Sequence, residues 1–124
     1  MRAIKIAIHS HPDIITARER GRALAAQFGC NGTNLTLIST VISEVARKVA
    51  ENPLPGEMTI SISRDDEHLT LTLIVRVYHS DKTAGLEVTP DCGPIDGFEV
   101  TCKPDQTILK LVQRVQAEQG FAAD

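Results

Sequence analysis

Apolar residues recur along this chain with two different periods, and the switches between them mark out its elements. From Ala3 to Ile8, Ile4, Ile6 and Ile8 alternate with Lys5 and Ala7, the period of two that predicts a half-buried strand. Ser10-His11-Pro12-Asp13 then reads as a helix start, with a capping hydroxyl, an acid three residues on and a proline where no amide donor is needed. The first helix carries a stripe of Ile14, Ala17, Gly21, Leu24, Ala25 and Phe28, and Gly29 is placed to end it in a left-handed cap. Thr33 to Glu51 predicts a second helix, capped by Thr33 or Asn34, in which Ile38, Val41, Ile42, Val45 and Val49 recur at steps of three and four. Pro53 and Pro55-Gly56 stop it.

Beyond that stop the period returns to two. Glu57 to Ser63 and His68 to Tyr78 alternate cleanly around the polar turn Arg64 to Glu67, which predicts a β-hairpin. Further on, His79 to Gly85 reads as loop, Leu86 to Thr89 as a short strand, Pro90 to Pro94 as a breaker cluster and Phe98 to Cys102 as another strand. Pro104-Asp105 is expected to open a last helix with the stripe Ile108, Leu111, Val112 and Val115, stopped by Gly120. These elements predict a single domain over 1–124, of class α/β (α+β). It would be a two-layer sandwich with the helices on one face of a mixed, mostly antiparallel sheet.

Composition narrows the function classes. A chain of 124 residues with 42% hydrophobic and 23% charged positions suits one globular domain, and a net charge of −3 argues against a nucleic-acid surface. One Tyr, three Phe and no Trp leave no platform for base stacking. No apolar run approaches the roughly 18–20 residues that span a bilayer, so no membrane is expected. Cys30, Cys92 and Cys102 are odd in number and lack C-x-x-C spacing, and they read as free thiols of a cytoplasmic protein. His9, His11, His68 and His79 lack the spacing of a metal site, so none is expected.

The run IITARERGRALAAQFG, then TLISTVISEVARKVA, then GEMTI resembles the N-terminal half of the anti-sigma-factor and switch-protein serine/threonine kinases, small members of the GHKL superfamily. The resemblance covers roughly residues 4 to 78 and rests on T-A-R-x-x-G-R in the first helix and I-S-E-x-A-R in the second. It implies a histidine-kinase-like ATPase domain with the Bergerat fold, ATP and Mg²⁺ as cofactors, and a role in signalling and stress response. The partner it implies is a STAS-domain protein or sigma-factor-like regulator, docked near Arg18, Arg20 and Arg22 of the first helix. Some relatives are homodimers.

Within the resemblance, Glu44 matches the catalytic glutamate that polarises the attacking hydroxyl and Arg47 matches an arginine. Lys48, however, stands where the family has a magnesium-binding asparagine. An ammonium offers the metal a like charge and no lone pair. The adenine-binding D-x-G-x-G motif has two registers, Asp81 with Gly85 and Asp91 with Gly93, and neither is intact. The glycine-rich phosphate lid is missing before Pro104, and the chain, ending at Asp124, is expected to lack the family's closing strand. The expectation is therefore a binding protein whose ATP site and kinase activity are impaired or lost. The alternative is an active kinase that phosphorylates a STAS-domain partner. A third account of Glu44 and Lys48 is an ordinary ion pair at i,i+4.

Overall fold

The computed structural model describes residues 2–52, 55–78 and 96–116. Strand β1 (Arg2–Ile8) leads into helices α1 (His11–Gln27) and α2 (Gly32–Ala50), followed by β2 (Gly56–Arg64), β3 (His68–Tyr78), β4 (Gly97–Cys102) and β5 (Gln106–Gln116). The strands form one sheet in the order β1-β2-β3-β5-β4. Both helices pack on one face of it, giving the expected two-layer α+β arrangement.

The helix ends follow the local chemistry. The Asp13 carboxylate accepts hydrogen bonds from the backbone N–H groups of His9 at 2.8 Å and Ser10 at 3.1 Å, which fixes the start of α1. At its end Gly29 adopts φ 88°, and the N–H groups of Cys30 and Gly29 donate to the carbonyls of Ala25 and Ala26. That is a Schellman cap, and it needs the glycine. Helix α2 begins one residue earlier than expected, at Gly32, with Asn31 in the cap position instead of Thr33 or Asn34. The amide of Asn34 instead donates to the backbone carbonyl of Gln116, tying α2 to the end of β5.

The core lies between the layers. Ile38, Val41, Ile42, Val45 and Val49 of α2 are all buried, together with Met58, Ile60 and Ile62 of β2 and Leu69, Leu71, Leu73, Val75 and Val77 of β3. Alternate residues such as Thr59, Ser61, Thr70 and Thr72 face the other way and are only partly buried. A sheet covered on one side and wet on the other is the usual antiparallel solution. In the β2–β3 turn, Asp65 accepts from the N–H groups of Glu67 and His68 at 2.8 and 2.7 Å.

Two expectations are corrected. The final helix over Pro104 to Gly120 is instead strand β5, inserted between β3 and β4, and Gly120 lies outside the described residues. The last described element is therefore a long strand. Its run Thr107 to Val115 satisfies both periods, but Thr107, Leu109, Leu111, Gln113 and Val115 are the buried set, and the β-branched residues favour the strand. Pro104 and Asp105 form the β4–β5 turn, with the N–H of Lys103 donating to the carbonyl of Gln106 at 2.8 Å. The sheet is also not mixed among the described strands, since every neighbouring pair is antiparallel. β3 and β4 do run in the same direction, but β5 separates them.

Backbone donors hold the carboxyls of Asp13 and Asp65 below their ordinary value near 3.8, chiefly the N–H of His9 for Asp13 and that of His68 for Asp65. A carboxyl depressed in the fold stabilises it above the unfolded pKa, and that contribution is lost as pH falls through the folded pKa. Stability is therefore expected to be level above about pH 5 and to fall below about pH 4. Urea denaturation between pH 3 and 7 measures this. Asp13→Asn should flatten the acid limb of the curve.

Candidate functional site

The residues that carry the family resemblance sit on the two helices. Glu44 and Lys48 lie on one flank of α2, and the contact between Gly21 and Ile42 places α1 against the opposite flank. At about 100° of rotation per residue, Glu44 and Lys48 stand together on the flank of α2 turned away from Ile42. The Glu44 side chain is 31% exposed, so it lies at the rim of the core.

Its carboxylate is engaged. Glu44 Oε2 lies 2.9 Å from Arg47 Nη2, and Arg47 Nη1 lies 2.6 Å from Glu51 Oε1. The ion pair expected between Glu44 and Lys48 is thus made with Arg47 instead, at i,i+3, and Lys48 has no carboxylate within 4.0 Å among the described residues. A planar guanidinium with its fork of donors can bridge two carboxylates that each stand about one turn from it, on either side, which a single ammonium does less well. The hydrogen bond from Arg47 holds the Glu44 carboxyl below its ordinary value, aided by the charges of Arg47 and Lys48. A base is weakened when its anion is stabilised in this way.

The Lys48 ammonium offers a metal ion no lone pair, Glu44 Oε2 is already paired, and no group of three or more His, Cys, Asp or Glu side chains able to hold a metal occurs among the described residues. Asp81, Gly85, Asp91 and Gly93, with the short strand expected at Leu86 to Thr89, lie outside the described residues.

Arg18, Arg20 and Arg22 are all exposed, but they do not share a face. Arg18 and Arg22 stand one turn apart and form a stripe with Ile15, which is 45% exposed. Arg20 is rotated to the other flank, where it lines an open depression of about 330 Å³ with Arg2, Leu24 and Gln27. None of the three makes an ion pair among the described residues. Ile15 is the member of this face that the sequence reading omits. Its signal is present, because it falls outside the stripe of Ile14, Ala17 and Gly21.

A second depression of about 610 Å³ lies at the far end of the sheet, lined among others by Asp66, Glu67, His68, Asp96 and Arg114. Asp96 there is occupied in accepting the Arg114 N–H at 2.6 Å. Glu44, Arg47, Lys48 and the arginines of α1 do not line it. No helix among the described residues is long and apolar enough to cross a membrane.

Compared with known proteins, the chain matches no protein-family model and no curated protein. The functional reading therefore rests on the residues and their geometry.

Proposed function

We propose that the protein is a regulatory binding module of the anti-sigma-factor and switch-kinase type. Its scaffold is read as a histidine-kinase-like ATPase domain of the Bergerat fold, kept for its surface in a signalling or stress-response circuit. It docks a STAS-domain or sigma-factor-like partner through the outer face of α1, without needing ATP or Mg²⁺. The observation that carries this reading is the stripe of Ile15, Arg18 and Arg22, an exposed apolar residue beside two cations with no carboxylate partner among the described residues. Such a stripe suits an acidic partner surface with a small apolar contact. The Arg47 ion pair at Glu44 and the ammonium of Lys48 weigh on the same side, against phosphoryl transfer. A cytoplasmic location belongs to this reading, and Cys102 is an exposed free thiol.

One observation favours the alternative of an active serine/threonine kinase. The Glu44 side chain is 31% exposed at the rim of the core, so its carboxylate is open to a substrate hydroxyl.

Charge reversal separates the two readings. Arg18→Glu together with Arg22→Glu is expected to weaken partner binding by about 10–100-fold and to leave the fold intact, since both side chains are exposed. Glu44→Ala is expected to bind as the wild type does. Unchanged binding in the charge-reversed variant, or phosphate transfer from labelled ATP that Glu44→Ala abolishes, contradicts the proposal.

A further inference from the structure

The start of β1 and the end of α1 bring two cations together without an acid between them. The chain turns between Ile8 and His11, so α1 runs back along β1, and Arg2 Nη1 donates to Gln27 Oε1 at 2.6 Å. Arg20 lies two turns before Gln27 on the same flank of α1, about 10 Å along the helix axis. Arg2 and Arg20 are therefore rooted toward opposite ends of the open depression of about 330 Å³ between helix and strand. Ile4, Ala23 and Leu24 line the stretch between them. Leu24 belongs to the core and Ile4 packs against it, so this apolar floor is fixed, while both arginines are exposed and reach it from the rim.

The polar groups at both ends are donors. In a chain with 16 acidic and 13 basic residues, neither Arg2 nor Arg20 has a carboxylate within 4.0 Å among the described residues. Gln27 orients Arg2 instead, and it does so through its carbonyl oxygen, which leaves its side-chain amide group without a partner among the described residues. One end thus offers the remaining N–H groups of Arg2 beside the Gln27 amide. The other offers the whole fork of Arg20, a geometry that matches a carboxylate in two parallel hydrogen bonds.

We infer that this depression is a binding site for a small linear dicarboxylate. One carboxylate is held by Arg2 and Gln27, the other by Arg20, and the hydrocarbon spacer lies on Ile4, Ala23 and Leu24. Charge complementarity selects this class. A monocarboxylate or a free phosphate fills one end and leaves the other cation unpaired, and a spacer carrying hydroxyl groups would set them against an apolar floor that offers no hydrogen bond. The volume is near the lower end of ligand sites, about 300–1,000 Å³, which suits a small molecule. The rim is open and both carboxylates stay partly hydrated, so the dissociation constant is on the order of 1 mM. Ile15, Arg18 and Arg22 lie on the other flank of α1, so the site is independent of the proposed partner face and both can be filled at once.

Titration of the isotope-labelled full chain, followed by the chemical shifts of its backbone amides, tests this with three probes. Suberate carries two carboxylates on a chain long enough to reach both ends, octanoate has the same length with one carboxylate, and succinate is too short. Suberate is expected to move the amides of Ile4, Ala23, Leu24 and Gln27 along a saturating curve, and the other two to bind about tenfold more weakly or less. Arg2→Gln and Arg20→Gln are each expected to lower suberate binding to the level of octanoate, with unchanged melting. Arg18→Gln combined with Arg22→Gln is expected to leave it as in the wild type. No saturating shift of these amides with suberate, equal binding of octanoate or succinate, or an Arg20→Gln protein that binds suberate normally overturns the assignment.

Discussion

Ile42→Ala is expected to cost about 2–5 kcal/mol of unfolding free energy, toward the upper end of that range. Ile42 is fully buried, and its Cδ1 occupies the space that a β-carbon on Gly21 would need, a point that also lies 3.3 Å from Ile60 Cδ1. The side chain therefore fills the junction of α1, α2 and β2. That junction collapses poorly, since α1 is held at both ends by the Asp13 hydrogen bonds and the Gly29 cap and is buried along Ala17, Leu24 and Ala25. A native stability of about 5–15 kcal/mol makes the loss a large fraction of the whole. The same contact predicts a reversal of sign. Gly21→Ala alone is expected to destabilise by about 1–2 kcal/mol, because the new methyl group meets Ile42. Combined with Ile42→Ala it is expected to stabilise by about 1 kcal/mol, since the obstacle is gone and alanine is the better helix former. Urea denaturation of the four proteins of the cycle measures this, and additive effects would contradict the contact.

Gly56→Val is expected to be nearly as damaging, at about 3 kcal/mol and a fall in Tm on the order of 10 °C. A β-carbon there would stand 2.5 Å from Val49 Cγ1 and 3.1 Å from the backbone carbonyl oxygen of Arg76. The first contact presses the last turn of α2 away from β2. The second cannot be relieved by a side-chain rotation, because Arg76 belongs to the neighbouring strand and Gly56 pairs with Val77 beside it. Gly97→Ala is the control: its added carbon would meet Val112 at 3.5 and 3.8 Å, an ordinary contact, and the change is expected within about 0.5 kcal/mol. Thermal melts of both variants decide the matter.

Much of this fold is legible in the sequence wherever one period excludes the other. The stripe of α2 has no period-two reading, and the strands at Met58 to Ile62 and Leu69 to Val77 have no helical one; all three lie where the pattern puts them. The Ser10 to Asp13 start and the Gly29 stop are equally readable, because each depends on chemistry within a few residues. At β5 the two periods coincide. Thr107 to Val115 is apolar at both spacings, and only the neighbours supplied by β3 and β4 decide between them.

The candidate site is less legible. Glu44 has Arg47 and Lys48 both within reach along the helix, and the carboxylate of Glu51, on the far side of Arg47, draws the guanidinium into a bridge. The arginines of α1 look alike in sequence, yet rotation along the helix separates Arg20 from Arg18 and Arg22. Exposure of Ile15 completes the face that remains.

The most direct test of the central claim is a calorimetric titration of the protein with a panel of purified STAS-domain and sigma-factor partners from the same genome, with and without ATP and Mg²⁺. The account predicts binding to one of them with the same affinity in both conditions, weakened by rising salt and by charge reversal at Arg18 and Arg22. Binding that appears only with nucleotide and metal, phosphate found on the partner afterwards, or no binding to any member of the panel would contradict it.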